Sequence, residues 1–482
     1  MNKFDTVIKN GVVVTAAETI EADVGIKNGK ITDLGVNLAG GDRQIDARGK
    51  LVLPGGIDSH VHIDEPPFYG VCGVDDFLSG TTSAACGGNT TMISFAEQVK
   101  GRSLQSVFDE YSAKAKDKAV IDYAFHMILC DANEQVLREE FPGIVERGVT
   151  SFKIYMRYEG LALDDTQVLN AMDKARECGA MILVHAENDH CIHYIQQKLE
   201  REHKTDLKYF GESSPQPVER EATHRTIALA EIADTPVLLV HVSAQQAMEQ
   251  IKWAQDRAMP VFGETCPQYL FISTDDFDRP GWEAAKFLCT PPPRESSNQA
   301  HIWRGIQTGI FQVLSSDHCA FRFESKEGKK KHDAPHVSTV PPGIPGIELR
   351  MPLVFSEGVN KGRIDLNRFV EITSTNAAKI YGLYPDKGTI MPGADADIAI
   401  WDPNLTQTVT LDMLHDNMDF TPFEGMELTG WPIMTISRGE VIWSNGTVTA
   451  APGRGRYLHR RPAKNGIEHG QLAGERDLNS AA

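Results

Sequence analysis

The sequence lacks several features that define whole classes of protein. Its 482 residues contain no apolar run near the length of about 18 residues that a membrane-spanning helix needs. The run PVLLVHV, at 236–242, has only the length of a strand. The eight cysteines form no Cys-x-x-Cys pair, and in a chain this long they are typical of buried thiols in a reducing compartment. The N-terminal residues lack the apolar segment of a signal peptide, so we expect a cytoplasmic protein.

Basic residues are also fewer than acidic residues. Lys and Arg total 48 against 66 Asp and Glu, which gives a formal net charge of −18. A nucleic-acid surface needs a basic footprint, and an anionic membrane repels an acidic protein. Hydrophobic residues make up 41% of the chain, which is too many for a disordered protein. We therefore expect a globular protein with neither a nucleic-acid nor a membrane partner.

Short apolar runs alternate with amphipathic stretches from about residue 55 to residue 380. Helical patterns lie between several of these runs, for example at 168–177 and 244–257. The alternation predicts an α/β fold, a TIM-like (β/α)8 barrel. A doubly wound sheet is the alternative, but no Gly-x-Gly-x-x-Gly follows the first strand. The eight candidate strands lie near 57–61, 90–95, 120–128, 151–156, 180–186, 236–242, 260–264 and 310–316.

Both ends of the chain have the pattern of short β-strands. The N-terminal part contains two Asn-Gly pairs, Asn10–Gly11 and Asn28–Gly29, and each predicts a hairpin turn. A similar strand–turn–strand pattern returns after residue 385. We predict that residues 1–54 and 386–452 form one small β-sandwich domain and that the barrel, residues 55–385, is inserted between them.

Two polar segments have no obvious place in these domains. Residues 453–482 are polar and begin with several arginines, which predicts a tail that is solvated or contacts a neighbouring subunit. The lysine-rich segment 324–336 (ESKEGKKKHDAPH) is most simply an exposed loop.

Residue types that bind metals recur at the ends of the candidate strands. His60 and His62 stand two residues apart after the first strand, so both side chains point to one face. His185 and His241 come near the ends of the fifth and sixth strands, and Asp317 ends the eighth. A barrel gathers these strand ends around one mouth. Any one of these residues alone is more often structural, but together they predict a site for zinc or a similar ion.

The number of candidate ligands indicates two ions. With Lys153, in the fourth strand, six side chains exceed the needs of one tetrahedral zinc and suit two metals about 3.5–4 Å apart. Such a pair needs a bridging anion, and no acidic residue ends the fourth strand. The amine of Lys153 could supply the anion by capturing carbon dioxide as a carbamate, N6-carboxylysine. Burial beside two cations favours the unprotonated amine that this reaction requires.

Nine segments can be compared with a known family. They are PGGIDSHVH, AACGGNTTMISF, TSFKIYMRY, LVHAEN, VHVSAQQA, GETCPQYL, TPPPR, SSDHC and NAAKIYGLYPDKGTIMPGADADIAIWDP. In these segments the chain resembles the cyclic amidohydrolases of the dihydropyrimidinase and D-hydantoinase group, and the resemblance covers nearly the whole chain. It implies a hydrolase in which a binuclear-metal hydroxide opens 5,6-dihydropyrimidines, 5-substituted hydantoins, or both, to N-carbamoyl amino acids.

The resemblance also implies how the metals are held. His60 and His62 would bind the more buried ion, His185 and His241 the more exposed ion, and carbamylated Lys153 would bridge them. The cofactors would be two divalent ions per chain, with zinc expected and manganese or cobalt as alternatives. The family further implies a homotetramer.

Four more residues receive roles from the resemblance. Asp317 would bind the first metal and act as general base and then general acid. Tyr158 would polarise the substrate carbonyl, and the backbone of Thr290 would contact the ring. Pro342 stands where the family has an asparagine that contacts the ring, and proline has no N–H to donate. The loop 64–74 is less apolar than the gate loops of the family.

Several related functions compete with this interpretation. Dihydroorotases have a His-x-His-x-Arg motif whose arginine holds the substrate carboxylate. Asp64 stands at that position here and would repel a carboxylate. Allantoinase is closer, because HVHIDEP resembles its HVHINEP, although SFKIYMRY and TPPPR favour the dihydropyrimidinase group. A cyclic imide hydrolase is a further alternative. Non-catalytic cytoskeletal relatives lack the metal ligands, and the six intact positions here predict an enzyme.

Overall fold

The computed structural model describes residues 3–462, 467–468 and 471–472. The N-terminal strands are β1 (Thr6–Val14), β2 (Thr19–Lys27), β3 (Lys30–Gly35), β4 (Arg43–Asp46) and β5 (Leu51–Pro54). The next nine strands are β6 (Gly56–His62), β7 (Asn89–Glu97), β8 (Asp122–Ile128), β9 (Ser151–Tyr155), β10 (Met181–His185), β11 (Val237–Leu239), β12 (Val261–Thr265), β13 (Val313–Leu314) and β14 (His318–Cys319). The C-terminal strands are β15 (Ile398–Thr408), β16 (Glu427–Ser437), β17 (Glu440–Ser444), β18 (Thr447–Val448), β19 (Ile467–Glu468) and β20 (Gln471–Leu472).

Strands β6 to β14 close into a parallel barrel. The sheet order is β13-β12-β11-β10-β9-β8-β7-β6-β14. The eighth strand of the barrel is split, because β13 pairs with β12 whereas β14 pairs with β6. This split closes the ring, and the predicted (β/α)8 barrel is confirmed. The carboxyl ends of all its strands therefore meet at one mouth.

The two ends of the chain share one further sheet. Its order is β18-β17-β16-β15-β5-β1-β2-β3, and β4 pairs with β1. Antiparallel pairing of β15 with β5 joins the two ends, from Ile398 opposite Pro54 to Trp401 opposite Leu51. The prediction of a β domain formed by both ends beside a barrel is confirmed. The boundaries that we assigned to these parts stay predictions.

The helices follow the barrel strands and pack against one another around them, as α7 does against both α4 and α8. Local signals set their ends: Asp164 accepts a hydrogen bond from the Gln167 N–H at the start of α4, and Gly179 ends this helix with φ +69°. The helices are α1 (Phe77–Cys86), α2 (Leu104–Lys116), α3 (Phe141–Glu146), α4 (Asp165–Cys178), α5 (Asp189–Arg201), α6 (Phe210–Ser213), α7 (Gln216–Ala233), α8 (Gln245–Gln255), α9 (Gln268–Phe271), α10 (Gln299–Gln307), α11 (Arg350–Val354), α12 (Leu366–Val370) and α13 (Asn376–Ile380). No helix of the described residues is long and apolar enough to cross a membrane.

Only one of the two Asn-Gly pairs forms a hairpin turn. Asn28 and Gly29 connect β2 to β3 with φ of +52° and +78°. The prediction for Asn10–Gly11 is wrong, because β1 continues through this pair and only shifts its register against β2. The pair forms a β-bulge in which Asn10 has φ +61°. Glycine is needed there, since a Cβ at Gly11 would lie 2.5 Å from a methyl group of Val52.

Each of the two polar segments contains a fully buried basic side chain. Lys329 has no exposed surface and donates to the Pro341 carbonyl at 3.0 Å, so the exposed-loop prediction for 324–336 is wrong at this position. Arg460 is equally buried and donates to Ser151 Oγ at 2.8 Å, which holds the start of the tail against the barrel. The predicted subunit contact of this tail stays a prediction, and most of its residues after 462 lie outside the described part of the chain.

Candidate functional site

His60 and His62 face Asp317 at the mouth of the barrel. The period of two along β6 puts both rings on one side. Oδ1 of Asp317 lies 3.1 Å from Nε2 of His60 and 3.4 Å from Nε2 of His62. The other ring nitrogens, Nδ1, donate to Glu264 at 2.6 Å and to Glu65 at 2.8 Å. These two carboxylates fix the rings so that both Nε2 atoms point toward Asp317.

The neighbours of these groups decide their charges. Burial alone would lower the pKa of His62, but Glu65 and Asp317 outweigh it and raise this pKa to about 9. Burial alone would raise the pKa of Asp317, but His60 and His62 hold it well below its usual value. Asp317 is therefore a carboxylate at neutral pH, which suits it to bind a cation or to accept a proton.

A second histidine pair lies on the adjacent strands. His185 ends β10 and His241 follows β11, and Nδ1 of His185 is 2.9 Å from Nε2 of His241. Nε2 of His185 donates to Glu187 at 2.8 Å. Nδ1 of His241 is buried and has no hydrogen-bond partner in the described part of the chain. Burial lowers the pKa of both histidines, so both are neutral imidazoles, the form that binds metals.

Lys153 is buried beside both histidine pairs. Its side chain comes from β9, and only 1% of the residue is exposed. Nζ lies 2.9 Å from Nε2 of His60 and 4.2 Å from the centroid of the Phe95 ring. Its charge is close enough to lower the pKa of His185 and of His241. Burial in turn lowers the pKa of Lys153, which favours a nucleophilic amine.

This set of donors fits divalent ions. The ligand atoms of His60, His62 and Asp317 all lie within 4.8 Å of one another. In the second pair two imidazole nitrogens face each other at 2.9 Å, and one buried ring nitrogen has no partner among the described residues. Neutral imidazole and carboxylate are the ligands of zinc and related ions. The structure thus brings together the six side chains that were proposed as ligands.

The predicted substrate residues line the same cavity. The hydroxyl of Tyr158 lies 2.6 Å from Oγ1 of Thr290. Pro342 and Gly343 form another part of the wall. Pro342 has no N–H, and the Gly343 N–H already donates to the Leu288 carbonyl at 2.8 Å. This part of the wall can therefore offer a ring only carbonyl oxygens.

Three of the site residues have a left-handed backbone. Tyr158 has φ +77°, His241 has φ +39° and Asp317 has φ +52°. Such conformations cost on the order of 1–3 kcal/mol for residues with a side chain, and they persist only where the surrounding fold imposes them. All three residues come just after a barrel strand or, for Asp317, between the two halves of the split strand. With this backbone conformation, the side chains of all three residues line the cavity.

Several buried carboxylates of the site were not singled out from the sequence. Glu264 has no exposed surface and also accepts from the His241 N–H at 3.2 Å. Glu187 binds Arg157 at 2.7 Å, and although burial opposes its charge, Arg157 and His185 lower its pKa. Their signal in the sequence was a charged residue within or just after a buried apolar strand. Two further acidic residues, the half-buried Glu65 and Glu97, line the cavity itself.

The chain resembles known proteins over nearly its full length. Residues 51–442 match the model of the Amidohydrolase family. A D-hydantoinase of Rhizobium radiobacter is 39% identical over 462 residues, which cover 96% of this chain and 100% of that one. A D-hydantoinase of Streptomyces coelicolor is 43% identical, covering 94% and 98% of the two chains. The crystal structure of a dihydropyrimidinase from Brevibacillus agri has a TM-score of 0.92 at 42% identity, covering 95% of this chain and 99% of that one.

Proposed function

This chain belongs to the amidohydrolase family, and from that premise we propose that it opens 5,6-dihydropyrimidine rings, 5-substituted hydantoin rings, or both. It is a metal-dependent hydrolase of cyclic amides. The product of either ring would be an N-carbamoyl amino acid. The names of its relatives, D-hydantoinase and dihydropyrimidinase, support this choice of rings.

We assign the metal ligands from the geometry of the site. His60, His62 and Asp317 would hold one divalent ion, and His185 and His241 a second. A carbamate on Lys153 would bridge the two, and we expect zinc, with manganese or cobalt as alternatives. When bound, the ions would polarise the amide carbonyl and lower the pKa of a water molecule between them.

The side chains of the site would carry the proton transfers. Asp317 accepts a proton from the attacking water as the water oxygen bonds to the ring carbonyl carbon. Tyr158 donates a hydrogen bond to the carbonyl oxygen as negative charge develops on it. The ring C–N bond then breaks, and Asp317 delivers its proton to the leaving nitrogen. The position of Asp317, with Oδ1 at 3.1 Å from Nε2 of His60, and the hydroxyl of Tyr158 in the cavity wall support these roles.

Two other wall residues would orient the ring. The backbone of Thr290 would contact the ring amide, and its side chain holds the Tyr158 hydroxyl at 2.6 Å. The carbonyl of Pro342 would accept a hydrogen bond from a ring N–H. A ring that presents N–H groups to this wall is favoured, since the wall has carbonyl acceptors and Pro342 has no donor.

One observation carries the proposal. Lys153 is almost completely buried, and its Nζ is 2.9 Å from Nε2 of His60, beside a second pair of neutral histidines. An ammonium group would repel cations at this position, whereas a carbamate would attract them. The arrangement is therefore best explained by a binuclear hydrolase with a modified lysine.

A substrate panel tests the proposed function. Protein reconstituted with zinc, manganese or cobalt in bicarbonate would be assayed on dihydrouracil, hydantoin, 5-phenylhydantoin, succinimide and allantoin. We expect the dihydropyrimidine or a hydantoin to have the highest kcat/KM, with an N-carbamoyl product found by mass spectrometry. Asp317→Asn is the control for loss of the base. Ring opening of none of these compounds by metal-loaded protein would refute the proposal.

Allantoin hydrolysis is the second candidate, and a specific contact favours it. Glu65, in the HVHIDEP segment, binds His62 at 2.8 Å and lines the cavity, so a polar ring substituent would meet a carboxylate there. A kcat/KM for allantoin above those of all other rings in the panel would establish this alternative.

Assembly and location are also proposed. We propose a cytoplasmic homotetramer that acts on a small cyclic amide. Light scattering of the purified protein tests the tetramer, since a monomer would give a quarter of the expected mass.

A further inference from the structure

The substrate cavity opens into an outer chamber. The two spaces share the side chains of Phe68, Glu97, Tyr158 and Leu161. A ring held in the cavity can extend a substituent along this shared wall toward the outer chamber. The chemistry of the wall therefore selects the substituent, provided that the protein opens rings as proposed above.

The shared wall contains the carboxyl group of Glu97, which has no partner among the described residues. Glu97 ends β7, and no hydrogen bond or ion pair reaches its side chain from the described residues. Glu65, a second carboxyl group of the cavity, is held by Nδ1 of His62 at 2.8 Å. Burial and the charge of Glu65 raise the pKa of Glu97 to about 8, so a donor group beside Glu97 would favour its ionised form. The guanidinium of Arg157 is already bound to Glu187 at 2.7 Å. Lys100 lines only the outer chamber.

The hydroxyl of a tyrosine near these carboxyl groups is likewise without a hydrogen-bond partner in the described ranges. Tyr155 is 7% exposed and lines the cavity, and its hydroxyl makes no hydrogen bond within the described part of the chain. Its ring stacks on His185 with centroids 5.3 Å apart, so the ring cannot readily turn away. The residue lines the cavity, so its hydroxyl is available there to water or to a ligand. Tyr155 is therefore a second polar group that this cavity offers to a ligand.

We propose that the natural ring substrate carries an N–H-rich substituent, an ammonium, guanidinium or ureido group, that donates hydrogen bonds to Glu97 and Tyr155. Glu65 adds negative charge beside this group, and the apolar side chains of Phe68 and Leu161 contact the stem that joins it to the ring. An apolar substituent would remove water from Glu97 without replacing its hydrogen bonds, which is costly. A site of this kind discriminates strongly against analogues that lack the donor.

Matched pairs of hydantoins test the proposal. One pair is 5-(4-aminobutyl)hydantoin against 5-pentylhydantoin, and the other is allantoin against 5-isobutylhydantoin. The first pair tests a cationic donor and the second a neutral one. Unsubstituted hydantoin serves as the reference ring, and Glu97→Leu is compared with wild type. Glu134→Leu, at an exposed position that lines neither the cavity nor the outer chamber, is the matched control.

We expect wild-type protein to prefer the donor-bearing member of at least one pair by tenfold or more in kcat/KM. Glu97→Leu should reduce that preference at least tenfold, and Glu134→Leu should leave it unchanged. Equal or better turnover of the alkyl members by wild type would overturn the proposal, and so would a Glu97→Leu effect that is the same for both members. If Glu97→Leu instead lowers the bound metal, Glu97 balances the charge of the metals and the proposal is wrong.

The two proposals fail in different ways. Turnover of unsubstituted hydantoin without a donor preference refutes only the substituent. Turnover of no ring refutes the ring-opening function, and calorimetric titration of the same pairs then decides the substituent by the ratio of their dissociation constants. A ratio near one would refute it.

Discussion

Replacement of Tyr158 by phenylalanine isolates one hydroxyl of the site. The ring of Tyr158 packs edge-on against Phe68, with centroids 5.2 Å apart, and its hydroxyl binds Oγ1 of Thr290 at 2.6 Å. Phenylalanine keeps the aromatic contact and removes only the donor. Loss of one oxyanion donor costs about 2.7–4 kcal/mol, so kcat should fall by about a hundredfold to a thousandfold. KM should change little, because the donor acts mainly on the charge of the transition state.

Steady-state kinetics on the best ring of the panel measures this effect. Tyr194→Phe is the matched control, because Tyr194 is 65% exposed on α5 and its loss should leave kcat unchanged. Metal content and the thermal midpoint should match those of wild type. A Tyr158→Phe variant with wild-type kcat, or with a raised KM and unchanged kcat, would refute the role of this hydroxyl in the transition state.

Three further predictions concern buried lysines. Lys153→Ala should lower kcat by at least about a hundredfold and abolish the carbamate signal after labelling with 13C-bicarbonate, whereas Lys329→Met should keep that signal. Burial lowers the pKa of Lys329 to about 7, so the unfolded chain binds more protons above this pH, and the free energy of unfolding should rise by up to about 1.4 kcal/mol per pH unit from about pH 7.5 to 9.5. Urea denaturation should show that Lys329→Met removes this dependence of the free energy of unfolding on pH. An unchanged dependence would mean that other groups cause it. Lys387 binds the buried Asp122 and Asp397 at 2.6 Å each and the half-buried Asp395 at 2.9 Å, so Lys387→Met should cost about 3–5 kcal/mol. With about 2.1 cal/mol/K of unfolding entropy per residue, calorimetry should show a Tm lower by about 3–5 °C, and an unchanged Tm would contradict this prediction.

The fold could be predicted well because the hydrophobic pattern is local information. Seven of the eight candidate strands correspond closely to strands of the barrel. The eighth was predicted at 310–316 but is split into 313–314 and 318–319. This split depends on pairing with two different neighbours, β12 and β6, which no local pattern encodes. The Asn10–Gly11 bulge differs from the Asn28–Gly29 turn for a similar reason, since the two pairs share the same dipeptide and differ only in their surroundings.

The candidate site was predictable in its ligands but not in its supporting residues. Histidines at strand ends can be recognised as candidate ligands from the sequence, because a barrel brings these ends together regardless of the conformation of its loops. Glu264 was missed because its role depends on contact with His60, more than 200 residues away in the chain. Lys329 was missed because a run of lysines is usually solvated, and only the packing around Pro341 shows that one of them is buried.

The sequence by itself determined the barrel, the β domain shared by both ends, and the set of six candidate ligands. These properties follow from periodicity and from the position of each residue along its own strand. Only the tertiary structure decided which ring nitrogens face Asp317 and that the Gly343 N–H is already occupied. It also decided that Glu97 and Tyr155 line one cavity with no hydrogen-bond partner in the part of the chain that the structure describes. Such contacts join residues far apart in the chain, and their distances and desolvation arise only when the chain is folded.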